Sequence, residues 1–224
     1  MPDVRVGGVV RQVESRRERS KRERMERIKQ AAYELLTEHD FNDVTTKDIA
    51  ERADIGEATL FRYVANKLQL LVITYGTRFQ AKLEVITKQA AELCAETEGV
   101  TGERIIETVL DGYRGYCEVY LTSPNNVGLY LLESYNRETS DRETVIVHGD
   151  VMISVATDLI VRGQQLGVLR ADVDAALVGE NCLGLFVHEV FRTRSRGLEH
   201  EKVWERLRPR LETQLALLVD DEQP

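Results

Sequence analysis

An all-α chain, built as a small N-terminal domain on a larger helical bundle, is what the sequence predicts. Three observations carry that reading. Apolar residues recur at steps of three and four along most of the chain. No stretch alternates apolar and polar residues and no Asn-Gly hairpin occurs, so strands are not expected. The charge is also split. Up to Leu70 there are 14 basic and 13 acidic residues, net +1, whereas the remainder has 16 against 25, net −9, within a total of −8. Such a split suggests two parts with different partners.

Composition sets the outer bounds. With 42% hydrophobic and 30% charged residues, the 224-residue chain has too much apolar material for a disordered segment and enough for a sizeable core. The acidic total argues against a protein that coats nucleic acid with its whole surface. Cys94, Cys117 and Cys182 are widely spaced, with no CxxC pair or Cys/His cluster. Neither a disulfide framework nor a metal site is therefore expected, and reduced thiols point to the cytoplasm. No apolar run approaches the roughly 18 residues that span a bilayer, so no membrane partner is expected.

In chain order, residues 1–20 are expected to form a flexible basic arm. Between positions 11 and 29 nine basic residues, Arg22 among them, stand against four glutamates, a polyanion-seeking excess. The pairs Glu18/Arg22 and Glu23/Arg27 also allow a plain solvated helix. Met25, Ile28, Ala32, Leu35 and Leu36 make a helix over about 21–38. Thr45, with Asp48 three residues on, has capping-box spacing and starts a helix of about two turns, whose apolar face is Ile49, Ala50 and Ala53. Asp54-Ile55-Gly56 breaks it, and a second helix over 57–63 follows, anchored by Leu60 and Phe61. Aspartate tolerates the left-handed turn geometry required there.

A long helix is expected from Asn66 to about position 96, and others over 103–121, 127–137, 142–165, 174–193 and 200–219. Gly99 with Gly102, Ser123-Pro124, Gly167 and Gly197 separate them. Pro209 should kink the last segment or start a new turn in it.

Helix, tight turn and helix over 45–63 can bind DNA if the second helix presents short side chains to base edges; the bland alternative is a helical hairpin. Glu57, Ala58, Thr59, Arg62 and Tyr63 are the exposed candidates, with Thr45, Thr46 and Lys47 at the start of the preceding helix. Lys67, in the first turn of the long helix, opposes the helix dipole, and a DNA phosphate bound there would reverse the sign.

The stretch 45–67, with Ile49-Ala50, Ala53, Thr59-Leu60, Lys67 and Leu70 in place, resembles the N-terminal domain of TetR-family transcriptional regulators. Asp54 stands where that family has Gly, Phe61 where it has Tyr and Val64 where it has Phe. The resemblance implies a helix-turn-helix DNA-binding domain over 21–66. A ligand-binding and dimerising bundle over 67–224 would follow. It implies a homodimer on a near-palindromic double-stranded operator, with recognition helices about 34 Å apart. A small-molecule effector would release the repressor.

The bundle offers a mixed apolar and polar set for that effector: Phe79, Leu83, Tyr113, Tyr116, Cys117, Tyr120, Leu129, Leu132, Glu133, Met152, Val155 and Leu159. Ordinary core packing is the competing reading for each. A flat, largely apolar molecule with one hydrogen-bonding or cationic group would suit it. For the dimer interface, Trp204, Leu207, Leu211 and Leu218 form a near-heptad stripe, joined by Val178, Cys182 and Leu185. The motifs HExxH, GxxxxGK and GxGxxG are absent, so no catalytic residue or cofactor is expected. An enzyme or a ligand carrier without DNA is the alternative reading.

Overall fold

The computed structural model describes residues 15–137 and 141–219. Within them the chain is helical, with α1 Arg16–Glu38, α2 Thr46–Arg52, α3 Glu57–Leu60 and α4 Lys67–Ala95, then α5 Gly102–Thr122, α6 Pro124–Leu132, α7 Arg142–Gln165, α8 Ala175–Ser195 and α9 Val203–Leu215.

Local chemistry sets many of these boundaries. Ser15 caps α1 in a capping box with Glu18, so Arg16 to Ser20 are its first turn rather than part of a free arm. Residues 1–14 of the expected arm lie outside the described residues. Thr45 and Asp48 form the expected capping box of α2. Asn66 caps α4 by accepting from the Gln69 amide, and Pro124 occupies the first turn of α6. Asp54, at φ 54°, takes the left-handed turn between α2 and α3. Hydrogen bonds from the amides of Phe61 and Val64 to Glu57 and Leu60 continue the helical turn past the end of α3.

Packing places α4 at the centre. It lies against α1 at the domain junction and against α5, α6 and α7 in the bundle, while α8 bridges α7 and α9. Tyr75, Phe79, Tyr113 and Phe186 are fully buried along this axis. By length and composition α7 is apolar enough to cross a membrane, with mean hydropathy 1.6, which the expectation of no such segment missed. Here that apolar surface packs against α4, α5 and α8.

Helix α9 continues through Pro209 rather than starting anew there, and one further expectation is corrected. The carbonyl four residues back belongs to exposed Glu205, where water can satisfy it. The proposed dimer stripe faces inward. Val178, Cys182, Leu207, Leu211 and Leu218 are buried in the chain's own core, with Leu185 and Trp204 packed against it. An amphipathic helix buries its stripe against the nearest apolar face, and α5, α8 and α9 supply that face to one another. Glu189 is buried on α8 between the guanidinium groups of Arg206 at 2.6 Å, Arg210 at 3.2 Å and Arg192 at 3.5 Å, which ties α8 to α9. Glu189 is thus a structural tie between the two helices.

Candidate functional site

Two candidate sites emerge, a basic cleft on the N-terminal domain and a cavity in the bundle. In the first, α2 and α3 cross at the Asp54 turn. Ala50 is buried there, and its carbonyl accepts from the Ile55 amide at 3.0 Å. Lys47, Glu57, Ala58 and Arg62 are exposed on the same domain face, Tyr63 is half-buried, and Phe61 is 49% exposed. The Arg24 guanidinium donates to the Tyr63 hydroxyl at 3.2 Å, tying α1 to the end of the recognition segment. Together Arg17, Ser20, Lys21, Arg24, Arg62 and Tyr63 line a cleft of about 340 Å³. Four of these six carry positive charge, the arrangement that backbone phosphates need. Arg22 is exposed on the same helix.

Several sequence-chosen residues have local duties. The Thr45 hydroxyl bonds Asp48 and, with the Thr45 amide, holds that carboxyl below the usual range. Thr46 donates to Glu57 at 2.6 Å, joining the two helices of the motif, and Thr59 is half-buried. Lys67 requires a correction. Its ammonium donates to the carbonyls of Phe41 at 2.7 Å and Val44 at 2.9 Å and sits 4.1 Å from the Phe41 ring centre. Partial desolvation pulls its pKa down. It secures the loop before α2 instead of standing open to a phosphate, because its ammonium finds two backbone carbonyls and an aromatic ring of its own domain.

The bundle cavity, of about 240 Å³, lies between α4, α5, α6, α7 and α8. Phe79 stacks on Tyr130 at 5.2 Å and meets Tyr116 edge-on at 5.0 Å, and Tyr116 meets Phe186 at 5.5 Å. The Tyr130 hydroxyl and His148 Nδ1 share a 2.6 Å hydrogen bond, and Tyr116 donates to the His148 carbonyl at 2.9 Å. Burial depresses the His148 pKa and raises those of both phenols, so all three are neutral at pH 7. Asp150 and Tyr135 stand at the exposed rim.

Of the twelve residues the sequence suggested, only Phe79 and Tyr116 line this cavity. Leu83, Tyr113, Cys117, Met152 and Leu159 are core, and Tyr120 bonds His200 near α9. Leu129 is half-buried, Leu132 is exposed and Glu133 accepts from Asn136. Val155 is nearly buried and faces a different, shallower groove beside Cys94. Tyr130, Val145, His148, Leu183 and Phe186 were missed. Those on α7 extend the predicted Met152–Val155–Leu159 face toward its N-terminus, which is the signal that could have found them.

The two sites share supports. Lys67 and Phe79 lie on one uninterrupted helix, about 18 Å apart at 1.5 Å per residue. Tyr130 is on α6, whose Asn126 is fully buried. The Asn126 side chain donates to the carbonyls of Leu36 at 2.7 Å and His39 at 2.9 Å and accepts from the Phe41 amide at 2.8 Å. One amide therefore caps the end of α1 from the bundle side.

Residues 28–72 match the model of the bacterial regulatory proteins of the tetR family. Its N-terminal segment is thus a TetR-family DNA-binding domain by sequence. Its TetR-family segment is 35% identical over 72 residues to the HTH-type transcriptional repressor KstR of Mycolicibacterium smegmatis. That match covers 32% of this chain and 35% of KstR, so it spans about a third of each. The whole fold is similar to a Bacillus subtilis FadR solved with stearoyl-CoA, at TM-score 0.64 and 16% identity over 87% of this chain and 99% of that one. It is also similar to Thermus thermophilus FadR solved with lauroyl-CoA, at TM-score 0.62 and 22% identity over 89% and 97%. The likeness of fold thus extends through the bundle, beyond the segment that the family model matches.

Proposed function

We propose that this TetR-family chain is a non-enzymatic, cytoplasmic transcriptional repressor. As a homodimer it binds a near-palindromic double-stranded operator and is released by a small, largely apolar ligand. The observation that carries the reading is the pairing of a basic helix-turn-helix cleft with an aromatic cavity, joined by α4 and by the Asn126 cap of α6. A ligand that shifts α4 or α6 must weaken DNA by the factor by which DNA weakens the ligand.

The cavity chemistry favours a neutral or cationic ligand of about eight non-hydrogen atoms, given about 30 Å³ per water-sized group. Its walls are aromatic, Asp150 is at the rim, and no Lys or Arg is among the described residues that line it. These features do not favour carrying over the acyl-CoA of the two FadR neighbours, whose phosphates call for basic partners. The exposed face of α8, with Leu177, Asn181, Gly184 and His188, supports a dimer seam. A Cβ built on Gly184 meets nothing within 4 Å, so the glycine leaves room for a partner helix to approach.

The test is binding to DNA flanking the protein's own gene at rising salt. Each phosphate neutralised contributes about −0.9 to the log–log slope. Arg24→Ala should flatten the slope by about one unit with little change in sequence preference, whereas Ala58 or Arg62 variants should alter preference. A salt-independent interaction, or an unchanged slope in both Arg24→Ala and Lys21→Ala, would remove this cleft from the DNA contact.

A further inference from the structure

One fully buried tyrosine of the bundle has a hydroxyl with no partner among the described residues. Tyr113 is fully buried, and its phenolic oxygen makes no hydrogen bond among the described residues. A buried hydroxyl without a partner costs stability that phenylalanine would not, and folded proteins retain few. The ring centre lies 6.4 Å from those of both Tyr116 and Phe186, which are among the side chains that line the cavity. Its other neighbours are soft. The Met152 methyl packs against Gly112, the residue before Tyr113, and the Cys182 thiol on α8 is near enough to help raise the phenol's pKa. A thioether reorients easily, so this wall can yield.

We propose that the cavity continues inward past Tyr116 and Phe186, and that the Tyr113 hydroxyl is the anchor for one polar group of the effector. The inference rests on the cavity reading above and adds the chemistry of its inner end. The groups that act on Tyr113 electrostatically are Cys182 and Tyr116, neither of them charged at pH 7. A carboxylate, phosphate or ammonium carried to this depth would be buried without a counter-charge. The anchored group is therefore neutral, a hydroxyl, carbonyl or amide, on an apolar body that fills the aromatic cavity. A cation is confined to the outer end, beside Asp150.

Two probes of one shape, 1-naphthol and naphthalene, separate this subsite from ordinary packing. Titration calorimetry on the full chain should show 1-naphthol binding about three- to tenfold tighter, the worth of one net hydrogen bond. Tyr113→Phe should abolish that advantage while leaving naphthalene affinity unchanged and the melting temperature of the ligand-free protein equal or higher. Tyr130→Phe, which removes a hydroxyl at the outer cavity, should keep the advantage. The proposal is overturned if neither probe binds the wild type, if the advantage survives Tyr113→Phe, or if Tyr130→Phe alone removes it. Operator binding without probe, measured on the same variants, is independent of all these outcomes and tests the DNA-binding reading separately.

Discussion

Replacing Asn126 by leucine should loosen the DNA-binding domain from the bundle. The amide is fully buried and bonds three backbone groups at 2.7–2.9 Å, all at the end of α1 and the turn after it. Leucine keeps the volume and removes every bond. The Leu36 carbonyl retains Tyr75 and Ser123 as donors, each at 3.0 Å, so it is not orphaned. The His39 carbonyl loses its Asn126 donor, and the Phe41 amide is left without its acceptor, each in a partly buried position. An unsatisfied buried group costs about 1–3 kcal/mol. Partial access of water favours the lower half of that range, so the two together predict a loss of about 2–4 kcal/mol. Denaturant unfolding followed by circular dichroism measures it, and Asn125→Ala provides the control. Asn125 bonds the exposed Asp40 carboxylate at 3.0 Å, and its removal should cost under about 0.5 kcal/mol. Equal losses for the two variants, or a loss below 0.5 kcal/mol for Asn126→Leu, would refute the idea that this amide is the joint.

Three other outcomes follow from the same geometry. Lys67→Met should lower stability by about 1–3 kcal/mol through the two orphaned carbonyls. It should leave the salt dependence of DNA binding near the wild-type slope, which salt titration of the variant checks. Leu177→Glu on the open face of α8 should dissociate the proposed dimer in sedimentation. Leu211→Glu, which buries a charge in the core, should unfold the chain instead, and a well-folded Leu211→Glu monomer would contradict the inward-facing stripe. Burial pulls the His148 pKa below its ordinary 6.5, so the native state binds fewer protons there than the unfolded one. Its contribution is fully present above pH 6.5 and is lost as the pH falls through the depressed value. The melting temperature should therefore drop between pH 7.5 and 5.5 by more in the wild type than in His148→Gln.

Features governed by neighbours in the chain could be read from the residues alone. The Thr45/Asp48 capping box, the Asn66 cap, the left-handed Asp54 turn and most helix spans depend on contacts within a few positions, so local chemistry fixes them. The TetR-family motif is dense for the same reason, since its helix-turn-helix is built almost wholly from consecutive residues. Periodicity marked Leu207, Leu211 and Leu218 as an apolar stripe. It could not say whether the stripe met a second copy or the chain's own α5 and α8, because both partners reward the same spacing.

What the sequence determined by itself was the all-α class, the position of the helix-turn-helix, the uneven charge and the helical faces that must be covered. Which residues cover them was decided in three dimensions. Lys67 turns to the carbonyls of a loop 23 and 26 residues away, and Asn126 reaches α1 across 85 to 90 residues. The cavity forms where five helices fail to close around Phe79, Tyr130 and Phe186. A helical face records that a residue must be buried, but a vacancy between helices depends on their mutual tilt and offset. Those are set by the summed packing of all their side chains, which no single segment encodes.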